Sequence, residues 1–270
     1  MSRTSLIVLV LLAPPAVASA QLGPAPPPPM SGSPAILQEI GFDQKLGGRL
    51  PLELVYKDET GRDVRLGDYF GRRPVVVNLV YYQCPMLCTV SLNGLASALK
   101  VLSFLPGQEF EVVTVSFDPR ETPALAAAKK KAYMARYARP EGARGWHFLT
   151  GGREAVEGLA AAVGFRYAWD EETRQFAHPA GVVVATPQGK VSHYLFGVEY
   201  SPRDLRLALV AAAEGRLGNP IDQVLLYCYK YDAQQGRYSA SILGLVRLGG
   251  LITLLALSGF ILTMWRRERR

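Results

Sequence analysis

Cys84 and Cys88 lie where an apolar run gives way to a helical pattern, a position suited to redox or metal chemistry. Residues 75–82 are mostly β-branched or aromatic and carry no charge, which is typical of a strand buried on both faces. After Cys88, apolar residues recur at helical spacing as far as Leu102. The thiols are therefore predicted at a strand-to-helix junction, where the positive end of a helix favours thiolate over thiol.

The spacing of the two cysteines is compatible with two kinds of chemistry. Residues i and i+4 share one helix face with Cβ atoms about 5–6 Å apart, whereas a disulfide needs Cβ atoms about 3.8 Å apart. A disulfide would therefore require an irregular first turn, which Pro85 permits. A metal bridging the two sulfurs at about 2.3 Å each relaxes that requirement. Both states stay open at this point, and the alternative to either is a pair of buried structural cysteines.

Length and charge indicate one folded domain with appendages and exclude nucleic acid as a partner. The chain has 270 residues, of which 49% are hydrophobic, enough for one good core. Of its net charge of +7, Arg3 supplies one unit and the terminal RRERR segment supplies three, which leaves +3 for the residues between. That value is ordinary, and no nucleic-acid binding is expected from it.

The first 36 residues are predicted to be a signal peptide followed by a tether. Arg3, the apolar stretch 6–12 and the small residues 18–20 follow the order of a secretory signal peptide, residues 1–20. The apolar stretch is too short to span a bilayer, and an uncleaved anchor is the alternative. The proline-rich segment 21–36 is expected to be an extended tether.

Residues 242–265 are predicted to form a transmembrane helix. The stretch is almost wholly apolar, Arg247 is its only charge, and the basic tail 266–270 follows at once. Basic flanks stay in the cytoplasm, so the folded domain is expected on the periplasmic or extracytoplasmic side of the cell membrane. Residues 216–241 would then be a membrane-proximal linker. A buried core helix is the alternative.

Residues 37–215 are predicted to form one α/β domain, because strands and helices alternate along it and indicate a sheet covered by helices on both faces. A hairpin around the turn Asp58–Gly61 is expected to open the domain. The predicted strands are 51–56, 64–66, 75–82, 110–117, 146–149, 165–169, 181–186 and 191–196, and the predicted helices start at Cys88, Pro123, Arg153 and, after the N-cap Ser201, at Pro202.

The motif YYQCPMLC, with the preceding GGRLPLELVYKDETGRDVRLGDYFGRRPVVVNLV, resembles the Sco/SenC family of copper-handling thioredoxin-fold proteins. The likeness covers roughly residues 40–215 and includes the turn from Asp118-Pro119 to Thr122-Pro123. It implies a thioredoxin-like fold with an added N-terminal β-hairpin. It also implies a metal site in which a downstream histidine joins the two cysteines.

The resemblance implies that His178 is the third ligand. His147 and His193 lie within predicted strands, where we expect a packed side chain and a surface residue, respectively. His178 lies in the loop before strand 181–186, and this loop holds the family's histidine and faces the cysteine turn in thioredoxin folds. Two thiolates and one imidazole suit copper, whereas structural zinc usually has four ligands. Cu(I) accepts three ligands, and Cu(II) would take a fourth from water or a nearby oxygen.

Asp118 and Cys228 are the remaining residues whose chemistry could contribute to the site. Asp118 is a candidate to hold a ligand in place, although an aspartate before Pro119 is equally expected to form a turn. Cys228, the third cysteine, lies in a tyrosine-rich segment some forty residues beyond the strands of the site. A lone cysteine is most often a small buried apolar residue, so Cys228 is left out of the metal set.

The resemblance implies a membrane-anchored copper chaperone that binds one copper ion through Cys84, Cys88 and His178. Its expected recipient is subunit II of cytochrome c oxidase or a similar copper-site protein, and a copper donor protein is expected upstream. The alternative is an enzyme, a thiol–disulfide oxidoreductase that uses the two cysteines to reduce a partner without a metal. His178 separates the two hypotheses, because thiol exchange can proceed without it and copper binding should not.

Overall fold

The computed structural model describes residues 36–84, 87–218, 231–232, 237–238 and 240–268. The predicted signal peptide, the tether as far as residue 35, Pro85 and Cys228 lie outside the described residues. The described part of the predicted domain contains a five-stranded mixed sheet with helices packed against it, which confirms the thioredoxin-like α/β fold. In spatial order its strands are β11 (Val191–Phe196), β10 (Gly181–Ala185), β4 (Val75–Val80), β5 (Glu111–Ser116) and β6 (Trp146–Leu149).

The direction of the strands decides where the cysteines lie. β4, β5 and β6 run parallel, while β10 pairs with β4 in the antiparallel sense, with Val183 opposite Val77 and Ala185 opposite Val75. Every residue of β4 is buried, as its continuous apolar sequence predicts. The carboxyl end of β4 and the beginning of β10 therefore lie at the same end of the sheet, which we name the cysteine end.

Helices follow the strands in the predicted order. α2 packs against α3 and α5, α3 packs against β6, and α5 packs against β10 and β11. The side chain of Ser201 accepts a hydrogen bond from the backbone N–H of Asp204, which confirms Ser201 as an N-cap. The helices are α1 (Ile36–Glu39), α2 (Leu87–Val101), α3 (Pro123–Tyr137), α4 (Arg153–Ala162), α5 (Pro202–Ala213) and α6 (Ala240–Glu268).

The added N-terminal hairpin is present, with shorter strands than predicted. β2 (Val55–Lys57) pairs with β3 (Asp63–Arg65) in the antiparallel sense around the predicted turn. The prediction of a strand from residue 51 was wrong for residues 51–54. There the carbonyl of Leu52 accepts from the N–H of Gly67, and the carbonyl of Leu54 accepts from the N–H of Leu66. These bonds are not part of the strand pairing of the hairpin.

The single strand predicted over residues 165–169 is two strands. β7 (Phe165–Arg166) pairs with β1 (Gly41–Phe42), and β8 (Ala168–Asp170) pairs with β9 (Gln175–Ala177). The strand pairing changes at Tyr167, but Phe165, Tyr167 and Trp169 still alternate with other residues across this point. The periodicity of the sequence alone therefore could not locate the break. The hairpin of β8 and β9 leads directly to His178. Two short strands near the carboxyl terminus, β12 (Tyr231–Asp232) and β13 (Arg237–Tyr238), also pair.

Residues 242–265, predicted to cross a membrane, form part of α6. Within the described residues α6 contains the one helical segment that is long and apolar enough to span a bilayer by length and composition, Gly250–Arg267. The helical part of the prediction is therefore confirmed.

Candidate metal centre

The two cysteines lie just beyond β4. The backbone N–H of Cys84 donates to the carbonyl of Tyr81 over 3.3 Å, and α2 begins three residues later at Leu87. Cys84 thus precedes the helix, and the two cysteines lie at the strand-to-helix junction that the sequence predicts. The backbone N–H of Cys88, in the first turn, donates to Cys84 Sγ over 3.3 Å. The sulfur of Cys84 therefore satisfies one of the unpaired N–H groups of the helix terminus.

The imidazole of His178 reaches the same place from the segment between β9 and β10. It follows β9 and precedes β10, and its Nε2 lies 3.1 Å from Cys88 Sγ. Its Nδ1 lies 2.9 Å from the carbonyl oxygen of Pro179. Because a carbonyl can only accept, the contact with Pro179 requires the proton on Nδ1, and the tautomer with that proton presents the lone pair of Nε2 to the cysteines. That is the tautomer that a metal-binding histidine needs.

Aromatic side chains hold the His178 ring in this orientation. The ring centroid lies 5.2 Å from that of Phe117, 5.9 Å from that of Tyr81 and 6.3 Å from that of Phe165. Phe176, the middle residue of β9, also packs against Tyr81 and Phe117. The ring is held by this packing and by the hydrogen bond to Pro179, so its Nε2 is already oriented toward an ion that lies beside the cysteines.

Together Cys84, Cys88 and His178 form a compact ligand set. One ligand atom from each residue lies within 4.8 Å of the others, and all three residues are buried. No disulfide joins the two cysteines. Two sulfurs and one nitrogen at this separation fit a soft metal ion, and in the described part of the chain this is the one cluster of histidine, cysteine or acidic residues of that kind.

The thiol of Cys88 is not activated in the way that the sequence suggested. Burial, aided by the hydrogen bond with Cys84, raises the pKa of the Cys88 thiol, although the helix terminus was expected to favour the thiolate. Desolvation of the charged form is the largest cause of this rise. A positive ion between the sulfurs would supply the missing stabilisation, because a coordinating thiol is deprotonated by the metal itself.

Glu121 anchors the loop that carries Cys84, and sequence reasoning missed it. Its carboxylate accepts from the backbone N–H groups of Tyr82 and Gln83, each over 2.7 Å, and from the hydroxyl of Ser116 over 2.6 Å. The residue is buried. Its only signal in the sequence is its place in the turn between Asp118 and Pro123. An exposed glutamate in that turn could not be distinguished from a buried one by sequence.

The other candidates lie away from the ligands. The carboxylate of Asp118 accepts from the backbone and the guanidinium of Arg120, so the described contacts support its role in the turn. His147 is half-buried, as a packed side chain should be, and lies 3.2 Å from Glu111. His193, which was expected at the surface, is half-buried, and the hydroxyl oxygen of Ser192 lies 2.8 Å from its Nδ1.

The fold and the cluster define a thioredoxin-like protein with a buried dithiol–imidazole site. The SCO1/SenC family model matches residues 50–213, more than half of the sequence, and the chain therefore belongs to the SCO1/SenC family. This confirms the family that the motif around the cysteines indicates. No curated protein matches the sequence.

Three of the solved structures with the same fold come from two bacteria and a plant. A candidate electron transfer protein from Aquifex aeolicus VF5 is 26% identical, with a TM-score of 0.57 over 64% of this chain and 96% of that one. A SCO1/SenC family lipoprotein from Bacillus anthracis is 18% identical, with a TM-score of 0.52 over 64% and 99%. Arabidopsis thaliana ScoI with copper bound is 19% identical, with a TM-score of 0.50 over 63% and 99%.

Proposed function

We propose that this protein is a membrane-anchored copper chaperone that binds one copper ion through Cys84, Cys88 and His178 and transfers it to a partner. The observation that carries the proposal is the convergence of the three ligand atoms within 4.8 Å of one another. The residues come from two segments that are ninety positions apart in sequence. A purely structural pair of cysteines would not need an imidazole whose lone pair faces them.

Copper is the metal that the donor set favours. Thiolate and imidazole are soft or borderline ligands, and a three-ligand set leaves a structural zinc ion one ligand short. The membership of the chain in the SCO1/SenC family supports the same choice, and one structure that shares its fold is that of Arabidopsis ScoI with copper bound. Cu(I) would be satisfied by the three residues alone, and Cu(II) would recruit a fourth oxygen ligand.

The proposed recipient is the copper site of cytochrome c oxidase subunit II, or of a similar protein, during assembly of the oxidase. The resemblance to the Sco/SenC family supports this recipient. Since all three ligands are buried, transfer requires the partner's ligands to reach the ion as the site opens. The proposed donor is another copper protein on the same side of the membrane.

The proposed anchor is α6, with the basic tail 266–270 in the cytoplasm and the folded domain outside. The apolar composition of Gly250–Arg267 supports a single span. The proposed topology is tested with Glu172→Cys, an exposed position, in a Cys228→Ser background. A membrane-impermeant thiol reagent should label this cysteine in intact cells whose outer barrier has been permeabilised. Labelling only after lysis would show that the domain is on the cytoplasmic side and would contradict the proposed topology.

The rival function, thiol–disulfide exchange, also has an observation in its favour. The two sulfurs are close together and reduced, and such a dithiol can reduce a partner's disulfide. Both thiols are buried, however, and exchange requires a thiolate with access to the target sulfur. An imidazole 3.1 Å from Cys88 Sγ could also take the thiol proton during exchange, so the dependence of each activity on His178 must be measured.

The two functions are separated by His178→Ala, with His193→Ala as the matched control. His193 is half-buried and lies outside the ligand set. We expect His178→Ala to weaken copper retention against a chelator by at least about tenfold, equivalent to about 1.4 kcal/mol, and to leave reduction of a disulfide peptide nearly unchanged. His193→Ala should change neither. Unchanged copper retention together with a collapse of peptide reduction would favour the oxidoreductase.

A further inference from the structure

The end of the sheet opposite the cysteines, which we name the far end, carries a set of arginines that the copper site does not use. It is the end where β4 begins at Val75, about 20 Å from the cysteine end by the rise of a six-residue strand. Arg72 lies just before β4, and Arg144 lies just before β6, which is parallel to it. Both side chains are exposed, and neither guanidinium is paired with another described residue.

These two arginines border a cavity of about 540 Å³ that is lined also by Arg73, His147 and Glu111. The carboxylate of Glu111 is already occupied, because it pairs with Arg73 over 2.8 Å and lies 3.2 Å from His147. The Asp68 carboxylate at the rim accepts from the backbone N–H of Arg65. Within the described residues, Arg72 and Arg144 therefore form no ion pair with the acidic groups of this cavity.

Further cations extend this border around the end of the sheet. The turn between β10 and β11 lies at the same end, since Gly71 donates to the carbonyl of Pro187 over 2.8 Å. Lys190 follows that turn and forms a bridge with Arg49, and both side chains are exposed. We name Arg49, Arg72, Arg144 and Lys190 the basic rim.

The folded domain ends beside the basic rim. The N–H of Gly218 donates to the carbonyl of Ser192 over 2.9 Å, and Ser192 directly follows Val191, where β11 begins. Residues 219–239, which include the paired strands β12 and β13, then lead to α6. The connection to the proposed anchor therefore leaves the folded domain at the far end.

The tip of the hairpin of β8 and β9, which leads into His178 at the cysteine end, carries more acidic than basic side chains. Glu171 and Glu172 are exposed there beside a single exposed arginine, Arg174. An anionic surface would therefore attract this tip less than it attracts the basic side chains at the far end.

We propose that the basic rim binds the headgroups of anionic phospholipids, so that the domain lies with its far end on the membrane and its Cys84–Cys88–His178 site turned away from it. This inference rests on the proposed anchoring by α6. Basic residues near an anionic bilayer are attracted within about one Debye length of its surface. The orientation presents the ligand set to a partner that projects from the same membrane.

The test uses the full chain in nanodiscs made either of phosphatidylcholine alone or of phosphatidylcholine with phosphatidylglycerol. Hydrogen–deuterium exchange is followed in residues 71–74, 141–145 and 187–191. We expect exchange in these segments to be roughly fivefold slower in the anionic discs, and we expect molar salt to abolish the difference. Equal exchange in both lipids would overturn the proposal.

Arg72→Glu/Arg144→Glu should abolish the lipid dependence. The matched control is Arg153→Glu/Arg203→Glu, which makes the same change of charge at exposed positions near the cysteine end, and it should preserve the lipid dependence. Loss of the lipid dependence in both variants would show that the net charge of the domain causes it, and would contradict binding by the basic rim. Insertion is measured separately, as co-elution of the chain with the disc. A chain that does not insert would contradict the proposed anchoring by α6. A chain that inserts without lipid-dependent protection would contradict only the proposed orientation of the domain.

Discussion

Cys88 Sγ lies 3.1 Å from His178 Nε2 although ninety residues separate the two positions in the chain. The sheet produces this contact, because β10 runs antiparallel to β4 and so begins where β4 ends. The residues after β4 and before β10 must therefore meet, which is where the two cysteines and the histidine stand. The central strand pair is thus the element that makes the ligand set.

Removal of the Glu121 carboxylate should destabilise the protein and loosen the copper site. Glu121→Ala leaves the buried N–H group of Tyr82 without an acceptor, at a cost of about 1–3 kcal/mol, and also removes the acceptor of the partly buried N–H of Gln83. We expect the free energy of unfolding to fall by about 3 kcal/mol, as measured by denaturant titration, and copper retention to fall with it. Glu121→Gln, which keeps one acceptor oxygen, should lie between wild type and Glu121→Ala.

The matched control is Glu157→Ala, because Glu157 is an exposed glutamate whose one ion pair, with Arg153, is on the surface. It should change stability by no more than about 0.5 kcal/mol. If Glu121→Ala behaves like Glu157→Ala in both measurements, the carboxylate does not hold the cysteine loop.

A methyl group at Gly94 should destabilise α2 despite its better helix propensity. Gly to Ala within a helix normally stabilises by about 0.5–1 kcal/mol. At Gly94, however, a Cβ atom would lie 1.9 Å from the carbonyl oxygen of Val198, so the helix or the loop after β11 must move. We expect a loss of about 1–3 kcal/mol in unfolding free energy, with weaker copper binding because Cys88 is on the same helix.

Gly152→Ala controls for the change of residue type, because a Cβ atom there meets nothing within 4 Å. Its effect should stay within about 0.5 kcal/mol. A Gly94→Ala protein that is more stable than wild type would show that the close approach of α2 to Val198 is not required.

The buried carboxylate of Asp58 should make the N-terminal hairpin sensitive to acid. Burial acts to raise its pKa, but hydrogen bonds from Thr60 and Arg62 outweigh burial and lower the pKa to about 2. A carboxyl whose pKa is lowered on folding stabilises the fold above its unfolded pKa of about 3.9 and loses that contribution as the pH falls through about 2. Asp58→Asn should therefore reduce stability at pH 7.

The measurement is denaturant unfolding of wild type and Asp58→Asn across the acid range. The difference between them should shrink as the pH falls from about 4 toward about 2. Asp63→Asn, which removes an exposed carboxylate of the same hairpin, should change stability little at any pH. A gap between wild type and Asp58→Asn that is constant with pH would contradict the assignment.

Much of the fold could be predicted because its signals are local. The charge-free run before Cys84 indicates the central strand, and the turn after Tyr56 indicates the hairpin. The break at Tyr167 could not be predicted, because both halves keep the same alternation while their pairing partners differ. Partner choice is a tertiary property that a single sequence does not display.

The site could be predicted only in part for the same reason. The two cysteines are visible from their spacing, whereas His178 required a family resemblance, because its place beside Cys88 depends on strand order. Glu121 was missed because its three partners are backbone and hydroxyl groups in other segments. The raised pKa of Cys88, which differs from the thiolate that the helix terminus led us to expect, follows mainly from burial, and burial cannot be seen in sequence.

The central claim is that Cys84, Cys88 and His178 hold one copper ion, and its most direct test is an anaerobic copper titration of the full-length protein. Reduced protein should take up one copper ion per chain after desalting. Protein in which Cys84 and Cys88 have been oxidised to a disulfide should take up none at this site, because disulfide sulfurs offer no thiolate. Equal copper uptake by the reduced and oxidised forms would contradict the account.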